Sequence, residues 1–140
     1  MALRQLHIAF SDGASRGNPG VGGCGAVLLD ASGAVVATAK VYLGERVTNN
    51  AAEYHGLLLA LDLAKQHSVA ALEVQMDSEL VTKQMQGVYR VKQPHLQVLH
   101  KAAMAKAALM PQVTYRAIPR AANAAADQLA NEAIDEHSKK

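Results

Sequence analysis

The chain has 140 residues, half of them apolar and 19% charged, a globular composition that excludes a disordered or fibrous protein. Fourteen Lys and Arg against 12 Asp and Glu leave a net charge of +2, which permits an anionic partner without demanding one. That charge is spread over Arg4, Lys40, Lys65 and Lys83 with no long basic run, and the length suits a single domain, 1–140.

The N-terminus, Met1 to His7, has no hydrophobic region of signal-peptide length. Leu6, Ile8 and Phe10 alternate and predict a first strand that exits at Asp12 into a turn-rich loop, Asp12-Gly-Ala-Ser-Arg-Gly-Asn-Pro-Gly20. Cys24 to Leu29 and Val35 to Leu43 predict two further strands joined by a hairpin turn at Asp30 to Gly33. Cys24 is the only cysteine, so no intramolecular disulfide can form; its setting reads as a small strand residue and its solitude points to a reducing, cytoplasmic compartment.

From Asn50 the period becomes 3.6, with Tyr54, Leu57, Leu58, Leu61 and Ala64 on one face of a helix to about Gln66. Asp62 interrupts its apolar stretch, so this helix cannot span a bilayer, and no membrane partner is expected. Leu72, Val74 and Met76 form a fourth strand ending at Asp77, and a short helix follows over Ser78 to Gln86. After a loop with Arg90 and Lys92 come an Ala-rich helix to about Leu109, a fifth strand at Val113 to Ala117, and a last helix over Asn123 to Glu136. Ala126, Leu129, Ala130, Ala133 and Ile134 are its apolar stripe, and residues 137–140 read as a frayed tail. The order β-β-β-α-β-α-α-β-α predicts an α/β fold: a five-stranded mixed sheet, antiparallel first and parallel through helical crossovers, flanked by helices.

Four carboxylates sit at element boundaries: Asp12, Glu53, Asp77 and Asp127. Each has a local explanation. Asp12 can make an Asx-turn, and Glu53 can complete a capping box with Asn50 as N-cap. Asp77 can cap the helix that follows it, and Asp127 gains from a helix N-terminus. Yet the proposed sheet lets all four converge at one end, with Asn123, Asp127 and Asn131 sharing one helix face. Such convergence of like charge is unfavourable without a cation, and oxygen-only ligation points to Mg²⁺, with Mn²⁺ a possible substitute. Two such ions serve in-line phosphoryl transfer. The six histidines have no zinc-ligand spacing and read as structural or surface.

Asp12-Gly-Ala-Ser-Arg-Gly-Asn-Pro-Gly20, Thr48-Asn-Asn-Ala-Ala-Glu53, Asp77-Ser-Glu-Leu-Val81 and Asn123-Ala-Ala-Ala-Asp127 occur in that order. With them the chain resembles type 1 ribonuclease H (ribonuclease HI) over essentially its full length. The resemblance implies a Mg²⁺-dependent endonuclease hydrolysing the RNA strand of RNA/DNA hybrids, leaving 5′-phosphate and 3′-hydroxyl ends. It implies that Asp12, Glu53, Asp77 and Asp127 are the metal-binding catalytic set, with two ions, in a protein expected to act as a monomer. A hybrid-binding module with little turnover, or a nuclease of the same fold acting on DNA, are the alternatives.

A hybrid reader must accept 2′-hydroxyls on one strand and track phosphates on both. The Gly13 to Gly20 loop, with Ser15, offers backbone for close approach, and the amides of Asn18, Asn49 and Asn50 can both donate and accept. By resemblance these reach the minor groove, Thr48 helps hold a DNA-strand phosphate, and Asn123 belongs to the substrate-facing set. Three departures from the family pattern stand out. Glu79 replaces a usual glutamine, and the segment Gly87 to Pro94 replaces a long basic, Trp-containing protrusion. The loop before Asp127 holds Arg120 in place of a histidine. Arginine stays protonated and cannot act as a general base, but it can bind phosphate.

Overall fold

The computed structural model describes residues 5–139. Residues 1–4, where no leader was expected, and Lys140 of the expected frayed tail lie outside the described residues. Three strands come first: β1 (Leu6–Arg16), β2 (Gly20–Leu29) and β3 (Val35–Val47). Then follow α1 (Asn49–Gln66), β4 (Ala71–Met76), α2 (Glu79–Met85), α3 (Pro94–Ala107) and β5 (Gln112–Ala117). A 3₁₀ turn, Arg120–Asn123, leads into α4 (Ala124–Ser138). The sheet has the order β3-β2-β1-β4-β5, with β1, β2 and β3 antiparallel and β4 and β5 added in parallel. That is the predicted mixed sheet.

One boundary differs in a way that matters. β1 does not end at Asp12 but continues to Arg16, with Asp12 opposite Gly25 of β2. The turn-forming character of Gly13 and Ser15 yields there to pairing with a glycine-rich partner strand. The chain reverses instead at Gly17 (φ +130°) and Asn18 (φ +33°). Pairing of β1 with β4 stops at Phe10–Gln75, so β1 runs on alone past the end of β4.

The main core lies between the sheet and α1, α2 and α3. Tyr54, Leu57 and Leu61 of α1 share one core cluster with Leu72, Val74 and Met76 of β4, and all are essentially fully buried. Each such side chain contributes on the order of 1.5–3 kcal/mol by leaving water. The Tyr54 hydroxyl donates to Gln84 Oε1 at 2.6 Å, which satisfies the polar end of a buried ring. Leu58, expected on this face, is half-buried. α4 covers the opposite face over β2, burying Ala126, Ala130, Ala133 and Ile134, while Leu129 of the expected stripe is half-buried. α4 runs on to Ser138, so His137 and Ser138 of the expected frayed tail are helical; α3 ends at Ala107, short of Leu109.

Two helix caps also differ from expectation. Thr48, not Asn50, caps α1: its Oγ1 accepts from the Ala51 N–H at 3.1 Å, so no capping box ties up Glu53. Ser78, not Asp77, caps α2, its Oγ accepting from the Val81 N–H at 3.1 Å. A hydroxyl directly before the first helical residue reaches the N3 amide and wins both positions. Cys24 is buried under α1's side of the sheet and its thiol is pushed up to about 12 by burial, as fits an inert strand residue. Among the described residues no helix is long and apolar enough to cross a membrane.

Candidate metal centre and the cleft around it

Asp12 projects from the part of β1 that has outrun β4, and Asp77 is the first residue after β4 ends. Glu53 reaches the same place from α1, which two glycines allow to lie against β1. A Cβ on Gly13 would stand 2.0 Å from the Ala52 carbonyl carbon, and one on Gly56 would stand 2.5 Å from the Asp12 carbonyl oxygen. Any side chain at either position would push the helix, and Glu53 with it, away from the strand.

The result is a triad. One carboxylate oxygen from each of Asp12, Glu53 and Asp77 lies within 4.8 Å of the others. Asp12 is only 3% exposed, and Glu53 Oε2 is buried with no hydrogen-bond partner. Burial raises the Asp12 carboxyl far above the ordinary carboxylate range, and the charges of Glu53 and Asp77 push the same way. Burial also lifts Glu53 to about 7, with Asp77 and Asp127 adding to it. Two buried acids held above their ordinary range, with a third carboxylate beside them and an oxygen lacking a partner, are what a hard divalent cation would relieve. The donor set therefore fits Mg²⁺ or Mn²⁺. Among the described residues no second cluster of three such ligands occurs, and the histidines take no part in this one.

Asp127, in the first turn of α4, lies next to Asp12 and lines the same cleft, outside the tight triad. The cleft encloses about 580 Å³. Of the predicted substrate residues, Gly13, Ser15, Asn49, Asn50 and Arg120 line it. Ser15 Oγ is turned to the Val47 carbonyl, which ties β1 to the end of β3. Thr48 and Asn18 do not line the cleft. Thr48 caps α1, and Asn18 Oδ1 accepts from the Asn49 N–H at 2.9 Å, fixing the start of that helix.

Two further predicted contacts, Glu79 and Asn123, do not line the cleft either. Glu79 is exposed on α2 and pairs with Lys83 at 2.8 Å, an (i, i+4) ion pair facing elsewhere. Asn123 is 1% exposed, and its Nδ2 donates to the Ser11 carbonyl at 2.9 Å. It does not share a presented face with Asp127, because it belongs to the 3₁₀ turn and not to α4. That bond satisfies the first β1 residue beyond the pairing with β4.

Ala14, Arg16 and Ser78 also line the cleft, and the sequence reading did not single them out. Arg16 has the same strand parity as Asp12, a signal visible only once β1 is known to run through both. A second cavity of about 500 Å³ adjoins the cleft at Asn50 and is walled by Leu80, Tyr89, Arg90, Lys92 and Leu96.

Residues 10–133 match the family model described as Reverse transcriptase-like. A bifunctional protein of Mycobacterium tuberculosis is 46% identical over 129 residues, covering 91% of this chain and 35% of that protein. The chain thus spans about a third of the length of the mycobacterial relatives it matches. The solved N-terminal RNase H domain of the M. tuberculosis protein superposes with a TM-score of 0.91 at 43% identity, covering 96% of this chain and 97% of the domain. RNase H1 of Halobacterium salinarum gives 0.90 at 38% identity, with 94% and 98% covered. LC11-RNase H1, solved in complex with an RNA/DNA hybrid, gives 0.87 at 42% identity, again with 94% and 98% covered.

Proposed function

This chain belongs to the type 1 ribonuclease H family, and on that premise we propose that it hydrolyses the RNA strand of RNA/DNA hybrids. The reaction uses two divalent cations, Mg²⁺ or Mn²⁺ in its place, and leaves 5′-phosphate and 3′-hydroxyl ends. The observation that carries this reading is the triad itself: three carboxylate oxygens within 4.8 Å, one residue of it with a partnerless buried oxygen, opening into a cleft walled by amides.

When bound, the cations supply Lewis-acid charge for activating water and stabilising the leaving oxygen. Asp12, Glu53 and Asp77 hold them, with Asp127 at the margin. Asn49 and Asn50 offer donors and acceptors to 2′-hydroxyls and base edges along the minor groove. Arg120 stands on the rim as a fixed positive charge for a phosphate. The adjoining cavity, with an apolar floor at Leu80 and Leu96 and cations at Arg90 and Lys92, is suited to the second strand.

Mg²⁺-dependent release of short RNA from a labelled hybrid tests the proposal, with Asp77→Asn as the control. Equal cleavage of single-stranded RNA or duplex DNA, or full activity without added cation, would overturn it.

A further inference from the structure

Asp127 differs from the other three acids in standing outside the tight triad: close packing of α4 on β2 brings its backbone in but does not fix its carboxylate. What holds it comes from the far wall of the cleft. Asp127, Asn131 and Asp135 succeed one another at four-residue spacing along α4, and Arg16, at the end of β1, spans the last two. Its Nη1 donates to Asp135 Oδ1 at 2.8 Å and its Nη2 to Asn131 Oδ1 at 3.1 Å. The Asn131 Nδ2 in turn donates to the Asp127 carbonyl at 3.0 Å and reaches Asp127 Oδ1 at 3.4 Å.

The chemistry of this chain of contacts is directional. A guanidinium has donors only, so it accepts nothing from the amide and fixes the Asn131 oxygen toward itself. The Asn131 NH₂ must then face Asp127, where a carboxylate can use it. Without Arg16 the amide is free to turn over and present an oxygen to another oxygen. Asp135, paired to the same guanidinium, holds Arg16 out of the way of the four acids. We propose that Arg16 and Asn131 are positioning residues: the arginine orients the amide, and the amide holds Asp127 beside the triad with its other oxygen free. This rests on the reading that the triad binds divalent cations, and it assigns a task to two cleft residues left without one.

Calorimetric titration with Mn²⁺, alongside kcat and KM for a hybrid, separates this role from a merely structural one. The variants are Asn131→Ala, Asn131→Asp, Arg16→Ala and Arg16→Lys, with Asp127→Asn as the reference. Groups that orient metal-site ligands are worth roughly tenfold or more in affinity or activity. Asn131→Ala should therefore weaken Mn²⁺ binding about tenfold and lower kcat with little change in KM. Asn131→Asp keeps, and strengthens, the link to Arg16 but removes the donor to Asp127, so it should fail as badly as alanine. Arg16→Lys should recover part of what Arg16→Ala loses. In the Asp127→Asn background Asn131→Ala should cost little more. An Asn131→Asp variant that binds Mn²⁺ and turns over like the unaltered protein overturns the proposal, since only the strand-to-helix tie would then matter. So does a full additional loss in the Asp127→Asn background, or a change confined to KM, which would make Arg16 a phosphate ligand. No Mn²⁺ uptake by the unaltered protein would instead overturn the metal reading itself, and this proposal with it.

Discussion

Replacing Glu53 by glutamine should make the cation-free protein more stable while destroying its response to cations. In the unfolded chain this carboxyl titrates near 4.5; in the folded protein burial and neighbouring acids lift it to about 7. The folded state therefore binds the proton more tightly than the unfolded state across that window. Stability must fall as pH rises from about 4.5 to about 7, and remain low above it. At about 1.4 kcal/mol per pH unit the full span is about 3 kcal/mol, and water in the open cleft reduces this to roughly 1–3 kcal/mol. Asp12, raised by burial and by Glu53, acts with the same sign. Glutamine keeps the shape of the carboxylate and can turn the partnerless Oε2 into a donor facing acids. For a chain of this size the gain in melting temperature is about 3 °C per kcal/mol, hence about 3–9 °C. Circular-dichroism melts with EDTA or with excess MgCl₂, near pH 5 and near pH 8, give the readout. Mg²⁺ should raise the melting temperature of the unaltered protein near pH 8 and barely move Glu53→Gln. A variant that melts at or below the unaltered protein in EDTA near pH 8 would refute the reasoning, as would stability that rises with pH through the window.

Asp77→Asn should leave the circular-dichroism spectrum intact and lower hybrid cleavage by about a hundredfold or more, the scale on which preorganised charge acts at a reacting phosphate. Gly13→Ala should cost about 3 kcal/mol or more in urea unfolding, because its Cβ would meet the Ala52 carbonyl carbon at 2.0 Å. Gly33→Ala is the contrast: no atom lies within 4 Å, only φ +89° resists, and a loss of about 1–2 kcal/mol is expected. Arg120→Ala should flatten the salt dependence of hybrid binding by about 0.7–0.9 in the slope of log K against log salt, one phosphate contact's worth. An unchanged slope would leave that arginine without a substrate role.

The element order, the mixed sheet and the α1 and β4 core stripes were all legible as periodicity, because burial on one face writes a period into the sequence. The caps were not, since Thr48 competes with Asn50, and Ser78 with Asp77, by a geometry one residue wide. That difference reaches the site: relieved of capping, Glu53 and Asp77 keep their carboxylates for one another. Glu79 and Asn123 fall outside the cleft lining for a related reason. Spacing says which residues share a helix face, but not which way that face turns, nor that a 3₁₀ turn interrupts the register before α4.

The largest misreading is also the most instructive about how the site is made. Gly13 to Gly20 has the composition of a loop, yet most of it is strand, because β2 supplies glycines opposite. Those glycines serve a second purpose. Cβ atoms on Gly23 and Gly25 would fall 2.6 Å from the Ala130 carbonyl oxygen and the Leu129 Cβ, so their absence lets α4 press onto β2 and bring Asp127 in. Gly13 and Gly56 do the same for α1 and Glu53 on the other face. β4 stops one residue short of Asp77, and Asn123 closes the edge of β1 that this leaves at Ser11. The four acids meet where one strand outlasts its neighbour, and the distance between them is set by side chains that are missing. Composition counts those glycines as flexibility; in the folded chain they act as close contacts, and that reversal is why pairing had to be known before the site could be drawn.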